Sequence, residues 1–268
     1  MNLANQPTPK SIFQVDQLKV EIYPDREAMG LAAARAVAQE IRSRLENQDR
    51  VSIIFASAPS QEEFLAALGL QPDLDWRRVV AFHMDEYVDL PSDAPQNFGR
   101  FLRDRLFDRV GPGQVHYLDG NAPDLDEECA RYAALLRQYP PDITCAGIGE
   151  NGHLAFNDPP VADFEDPALV KVARLAERSR RQQVHEECFP SLEEVPERAI
   201  TLTIPALLSA PYFSCVVPFR SKAEAIRRTL TGPIATDCPA SVLRRHPGAT
   251  LVLETESASL ISEARLLA

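Results

Sequence analysis

Short apolar runs rich in β-branched residues recur along this chain, each followed by a turn and then a segment of helical spacing. That alternation constrains the fold most. Val51 to Ala56 (VSIIFA) has no polar face, the pattern of a strand covered on both sides. Ser60-x-x-Glu63 follows and reads as a capping box opening a helix through FLAAL. The same order repeats: strand Val79 to His83, helix Asn97 to Val110, strand Val115 to Leu118, helix Asp124 to Gln138 and strand Ile143 to Ile148. Ahead of these, a polar tail of about fifteen residues leads into strand Lys19 to Tyr23, and Pro24-Asp25 opens an Ala-rich helix ending near Asn47. Such an order predicts an α/β fold with a mainly parallel sheet flanked by helices.

Beyond Gly149 the order breaks. A loop is followed by a polar stretch, 163–197, carrying Arg174, Arg178, Arg180 and Arg181 among many acids, which reads as a lid or insertion. Alternation resumes with strands Ala199 to Thr203 and Tyr212 to Val217, a helix Ser221 to Thr231, a short helix Ala240 to Arg245, strand Ala249 to Leu253 and a terminal helix. There is no internal repeat, and the 22 prolines are spread through loops, so one domain over 1–268 is expected.

Composition narrows the function. A formal net charge of -11 and a pI near 5.0 repel nucleic acid and anionic membranes, so an anionic substrate needs a local cationic pocket. Neither a signal peptide nor a membrane span is recognisable, which predicts a cytoplasmic protein. The five cysteines and five histidines are scattered without metal-ligand spacing, so reduced thiols and no metal are expected.

In sheets of this kind ligands bind beyond the carboxyl ends of the strands. Four segments would arrive there. Ser57-Ala58-Pro59-Ser60 brings two hydroxyls and a helix N-terminus, a place for phosphate, although Ser60 is equally explained as an N-cap. Asp85 ends an apolar strand in FHMDEY, where partial burial would tune a carboxylate as a general base; a turn or helix cap is the other reading. Gly147 to Pro160 (GIGENGHLAFNDPP) holds three glycines in six residues and sets His153 beside carboxylates able to hold its tautomer. Its Gly-x-Gly lacks the full dinucleotide spacing, which excludes a nicotinamide cofactor. Lys222, opening a helix after a strand, is a candidate phosphate partner.

Together these segments resemble the glucosamine-6-phosphate deaminase (isomerising) family from Val20 to Glu254. The matches are FHMDEYVDL, LDGNAPDLDEEC, GIGENGHLAFNDP, VPERAITLTIPALL and SKAEAI, in order. The resemblance implies a Rossmann-like three-layer α/β/α fold with a small lid, an amino-sugar 6-phosphate substrate and no cofactor. It implies that His153 opens the pyranose ring, and that Asp85 moves a proton from C2 to C1 while ammonia leaves C2. Asn151 and Asp158 stand at its remaining catalytic positions. Ser57, Ser60, Lys222 and Arg181, with Arg180 as competitor for the last place, stand at its phosphate-binding positions.

This chain departs from the family pattern in three places. Ser57-Ala58-Pro59-Ser60 replaces Thr-Gly-Gly-Thr, Asn151 replaces a carboxylate, and Asp158 is one methylene shorter than the usual Glu. The family's basic activator cluster has no counterpart at Pro167 to Lys171, so no activation by an acetylated amino-sugar phosphate is expected. The alternatives are a deaminase for another amino-sugar phosphate such as galactosamine 6-phosphate, a 6-phosphogluconolactonase, or a non-catalytic sugar-phosphate sensor. Tyr87 and Leu154 to Phe156 count against the lactonase, and the retention of Asp85 with His153 counts against the sensor. A homo-oligomer is left open.

Overall fold

The computed structural model describes residues 7–91, 93–159 and 161–261 of the 268. The first half of the chain runs β1 (Ser11–Val15), β2 (Leu18–Tyr23), α1 (Arg26–Leu45), β3 (Val51–Phe55), α2 (Glu62–Leu68), β4 (Val79–His83) and β5 (Asp85–Tyr87). Next come α3 (Phe98–Leu102), a π-helical turn over Arg103–Phe107, α4 (Asp108–Val110), β6 (Gln114–His116), α5 (Leu125–Gln138) and β7 (Ile143–Ala146). The second half holds β8 (Val170–Arg174), α6 (Glu177–His185), β9 (Arg198–Leu202), α7 (Ile204–Leu208), β10 (Tyr212–Val217), α8 (Ala223–Thr231) and β11 (Ala249–Glu254).

The main sheet has the order β1-β2-β11-β10-β7-β3-β4-β6, and every pair except β1 with β2 is parallel. Side chains alternate between its two faces. Ile53, Phe55 and Ala81 pack with Met29, Val37 and Ile41 of α1 and with α2, whereas Ile54, Val80 and Phe82 pack with Tyr132 and Leu136 of α5. Two buried cores on opposite faces of one sheet make the three-layer α/β/α arrangement that the sequence predicts.

Local signals explain most boundaries. Asp25 caps α1, its Oδ1 accepting from the Ala28 N–H at 2.8 Å, and Asn97 caps α3 by accepting from the Arg100 N–H at 3.0 Å. Three expectations fail. The supposed polar tail contains β1, which pairs antiparallel with β2 at the sheet edge; alternating burial from Ser11 to Val15 is its signature. The capping box at Ser60 and Glu63 does not form, because a 3-10 turn over Pro59–Gln61 moves the helix start to Glu62. Glu63 pairs instead with Arg26 at 2.6 Å. Turns occupy 255–260 where the terminal helix is expected, and the rest of that helix lies outside the described residues.

A second, smaller sheet, β5-β9-β8, is antiparallel throughout. The chain leaves the main sheet at His83 and enters the small sheet at Asp85 within two residues. The stretch 163–197 is thus not merely loop; it supplies β8 and α6. Among the described residues, no helix is long and apolar enough to cross a membrane.

Candidate active site

The order of the main sheet reverses between β3 and β7: the chain proceeds from β3 outward to β4 and β6, then returns to the other side of β3. Ligand crevices form at such a switch point, where loops part to either side. A cleft opens there, lined by Ser57, Ser60, Gln61, Asp85, Gly147, His153, Gln182, Gln183 and Lys222 together with apolar side chains.

Asp85 opens β5 opposite Thr201 and is 7% exposed. It is a strand residue, not a cap. Burial, with the Glu86 carboxyl beside it, pushes the Asp85 carboxyl well above the ordinary carboxylate range. Glu86 takes the anchoring role instead. Its oxygens accept from the N–H groups of Tyr87, Phe98 and Gly99 at 3.0–3.1 Å, tying β5 to the start of α3. His83, two residues before Asp85, is buried and structural: its Nε2 accepts from the Leu118 N–H at 2.9 Å, and burial lowers its ring to about 4.

His153 sits in a loop that glycines permit. A methyl group at position 149 would stand 2.1 Å from the His153 ring, and Gly152 holds φ at +89°, a conformation L side chains rarely adopt. The His153 Nδ1 meets three partners: Asn151 Oδ1 at 2.8 Å, Ser179 Oγ at 3.0 Å and Asp158 Oδ1 at 3.2 Å. Asn151 Oδ1 and the ionised Asp158 are acceptors only, so Nδ1 carries the proton and Nε2 is left to a substrate. Asn151 Nδ2 donates to Asp158 Oδ1 at 2.8 Å, the Ser179 hydroxyl donates to the same oxygen, and the Ala176 N–H reaches Oδ2 at 2.9 Å. Burial alone would raise the Asp158 carboxyl, but the bonds from His153, Ser179 and Asn151 outweigh it and hold the group far below the usual range. The shorter Asp158 side chain therefore still reaches the imidazole. Asn157 fixes the loop from behind, its Nδ2 donating to the carbonyls of Leu154 at 2.9 Å and Leu202 at 2.8 Å.

Ser57, Ser60 and Lys222 line the same cleft. The Ser57 hydroxyl is buried and has no hydrogen-bond partner among the described residues, whereas Ser60 Oγ accepts from Gln61 Nε2 at 3.1 Å. Lys222 is 1% exposed and its Nζ donates to Glu186 Oε1 at 2.7 Å.

Arg181 does not join them. Its side chain is 58% exposed on the outer face of α6 and pairs with Glu177 at 2.5 Å. Arg180 is no substitute, because it is spent on the carbonyls of Leu192 at 2.6 Å and Val195 at 2.8 Å. What α6 sends toward the site is polar and uncharged: Ser179 to His153, Gln182 and Gln183 to the cleft. Sequence reading missed these three, although their i, i+3, i+4 spacing puts them on one helical face.

Comparison with known proteins identifies the family of the chain. A family profile described as glucosamine-6-phosphate isomerases/6-phosphogluconolactonase matches residues 24–252. A glucosamine-6-phosphate deaminase of Exiguobacterium sibiricum is 41% identical over 190 residues, which cover 71% of this chain and 73% of that protein. One of Bacillus cereus is 39% identical over 191 residues, 71% of each chain. Among solved structures, a monomeric glucosamine-6-phosphate deaminase superposes with a TM-score of 0.83 at 31% identity, covering 90% of this chain and 99% of its own. A 6-phosphogluconolactonase of Thermotoga maritima reaches 0.71 at 21% identity over 88% and 99% of the two chains, a likeness of fold alone. The chain belongs to the glucosamine-6-phosphate isomerase/6-phosphogluconolactonase family.

Proposed function

We propose that this protein is an enzyme catalysing the isomerising deamination of glucosamine 6-phosphate to fructose 6-phosphate and ammonia. The observation that carries this reading is the pairing, in one cleft, of a buried carboxyl of raised proton affinity at Asp85 with an imidazole at His153 whose Nδ1 is locked by Asn151, Asp158 and Ser179. Relatives 39–41% identical bear the name of that activity.

In this reading His153 Nε2 moves the proton of the anomeric hydroxyl to the ring oxygen, opening the pyranose. Asp85 then takes the C2 proton and returns it to C1. The C2 imine so formed adds water and expels ammonia, so one water is consumed for each ammonia released. The raised proton affinity of Asp85 suits the abstraction step, since proton transfer from carbon gains driving force as the affinity of the base rises toward the working pH. Ser57, Ser60 and Lys222 face the phosphate, and Asn151 and Asp158 orient the imidazole. The segment 163–197, through α6, covers the cleft as its lid. The setting is cytoplasmic and the chemistry needs no metal or organic cofactor.

Ammonium release and fructose 6-phosphate formation from glucosamine 6-phosphate test the reading directly. Galactosamine 6-phosphate should be a poor substrate and 6-phosphogluconolactone should not be hydrolysed. Turnover of the lactone, or binding without release of ammonium, would sink the proposal. Exchange of the C2 hydrogen with solvent deuterium should fall about 10³-fold in Asp85→Asn; unchanged exchange would remove Asp85 from the role of base.

A further inference from the structure

Just outside the lining of the cleft, an anion stands against two of its donors. Glu186, at the C-terminal cap of α6, places its Oε1 where two cleft-lining donors converge: Lys222 Nζ at 2.7 Å and Gln182 Nε2 at 2.9 Å. Its side chain is 11% exposed, and its second oxygen is buried without a hydrogen-bond partner among the described residues. Among the described residues no arginine lines this cleft, and Pro59 has no N–H to offer at the neighbouring turn. The Lys222 ammonium is therefore neutralised, and a substrate phosphate that approached it would lie within a few ångströms of a carboxylate.

We infer that Glu186 Oε1 holds the place of a substrate phosphate oxygen, so that Glu186 is an internal competitor which sets the affinity of the site for phosphate. This rests on the function proposed above. Binding replaces the carboxylate with the phosphate at Lys222 Nζ and Gln182 Nε2, and Glu186 turns further into the open space that it already lines with Pro59, Glu150, His185, Glu187 and Phe219. Its position favours such a movement. Glu186 is one residue past the last helical residue, and the backbone turns out of the helix there, so its side chain swings without unwinding α6. The competitor lowers apparent affinity by the fraction of molecules in which it is seated. It also confers selectivity, because only a group that binds both donors better than a tethered carboxylate displaces it, and a neutral hydroxyl does not.

Inorganic phosphate is the probe, titrated calorimetrically into the full-length protein and used as an inhibitor of ammonium release. Glu186→Gln and Glu186→Ala should each bind phosphate about tenfold more tightly than wild type, and KM for glucosamine 6-phosphate should fall in parallel. An unpaired buried ammonium lowers stability, so both variants should melt earlier when empty and recover with phosphate. Near-ultraviolet circular dichroism checks that each is folded. Phosphate binding that is unchanged or weaker in folded forms of both variants overturns the inference. If wild type releases no ammonium while both variants still bind phosphate more tightly, the proposed reaction fails and the role of Glu186 stands.

Discussion

Two buried acids, Asp85 in the cleft wall and Asp158 behind His153, are set in opposite directions, and the difference has measurable consequences. Burial and the neighbouring Glu86 raise the proton affinity of Asp85 above the ordinary 3.8; Asp158 is surrounded by donors and its affinity is depressed. A carboxyl with a raised folded value loses stability as pH rises through its free value, because it must ionise where ionisation is unfavourable. Asp85→Asn should therefore raise the melting temperature at pH 7 by about 2–4 °C, with the gap closing as pH falls toward 4. Asp158 has the opposite sign: it contributes stability above its free value and loses it as pH falls. Asp158→Asn should cost about 1–3 kcal/mol at pH 7 and progressively less below pH 4, read from denaturant melts at several pH values. A reversed order of the two variants would show that their surroundings have been misassigned. Gly149 sets a steric limit at the same scale. Gly149→Ala puts a methyl against the His153 ring, and kcat should drop about 10²-fold with KM less affected.

Helix α6 shows how an element is held by one residue and used through others. Arg180 fastens it to the carbonyls of Leu192 and Val195, so that Ser179, Gln182 and Gln183 face inward. Arg180→Ala should raise KM about tenfold by loosening that face, whereas Arg181→Ala, which loses only an exposed pair with Glu177, should stay within about twofold of wild type in both kcat and KM. A large rise in KM for Arg181→Ala would return that residue to the phosphate site. The same helix marks the limit of what was legible beforehand. Strands β3, β4, β7 and β10 are apolar runs that announce themselves, and the segments after them bring Ser57, Asp85, His153 and Lys222 to one cleft. The composition of α6, with its arginines, pointed to a cationic cover; which arginines turn inward depends on helix phase relative to a sheet formed by β8 and β9, and phase is a tertiary property. The failed capping box has a similar cause. Pro59 starts a 3-10 turn ahead of α2, and turn type decides where the helix begins. Glu186 escaped notice because a lone acid among many carries no signal until Lys222, thirty-six residues away, is folded against it.

For the molecule as a whole, a net charge of -11 surrounds a cleft whose lining lysine, Lys222, is already paired. A phosphorylated substrate is thus repelled at long range and recognised only at contact. Raising ionic strength from about 10 to 150 mM should increase kcat/KM for glucosamine 6-phosphate by about 2–5-fold through screening, with kcat little changed; a decrease would mean that the local field at the cleft is attractive. The placement of Asp85 has a further consequence at this scale. Asp85 belongs to the three-stranded sheet and Lys222 follows β10 of the eight-stranded one, with only Met84 joining β4 to β5. A ligand gripped by both is a tether between two separately bonded slabs of backbone. Amide hydrogens of β5, β8 and β9 should therefore exchange more slowly in the occupied protein than in the empty one, while those of β3 and β11, already locked in the larger slab, keep their rates.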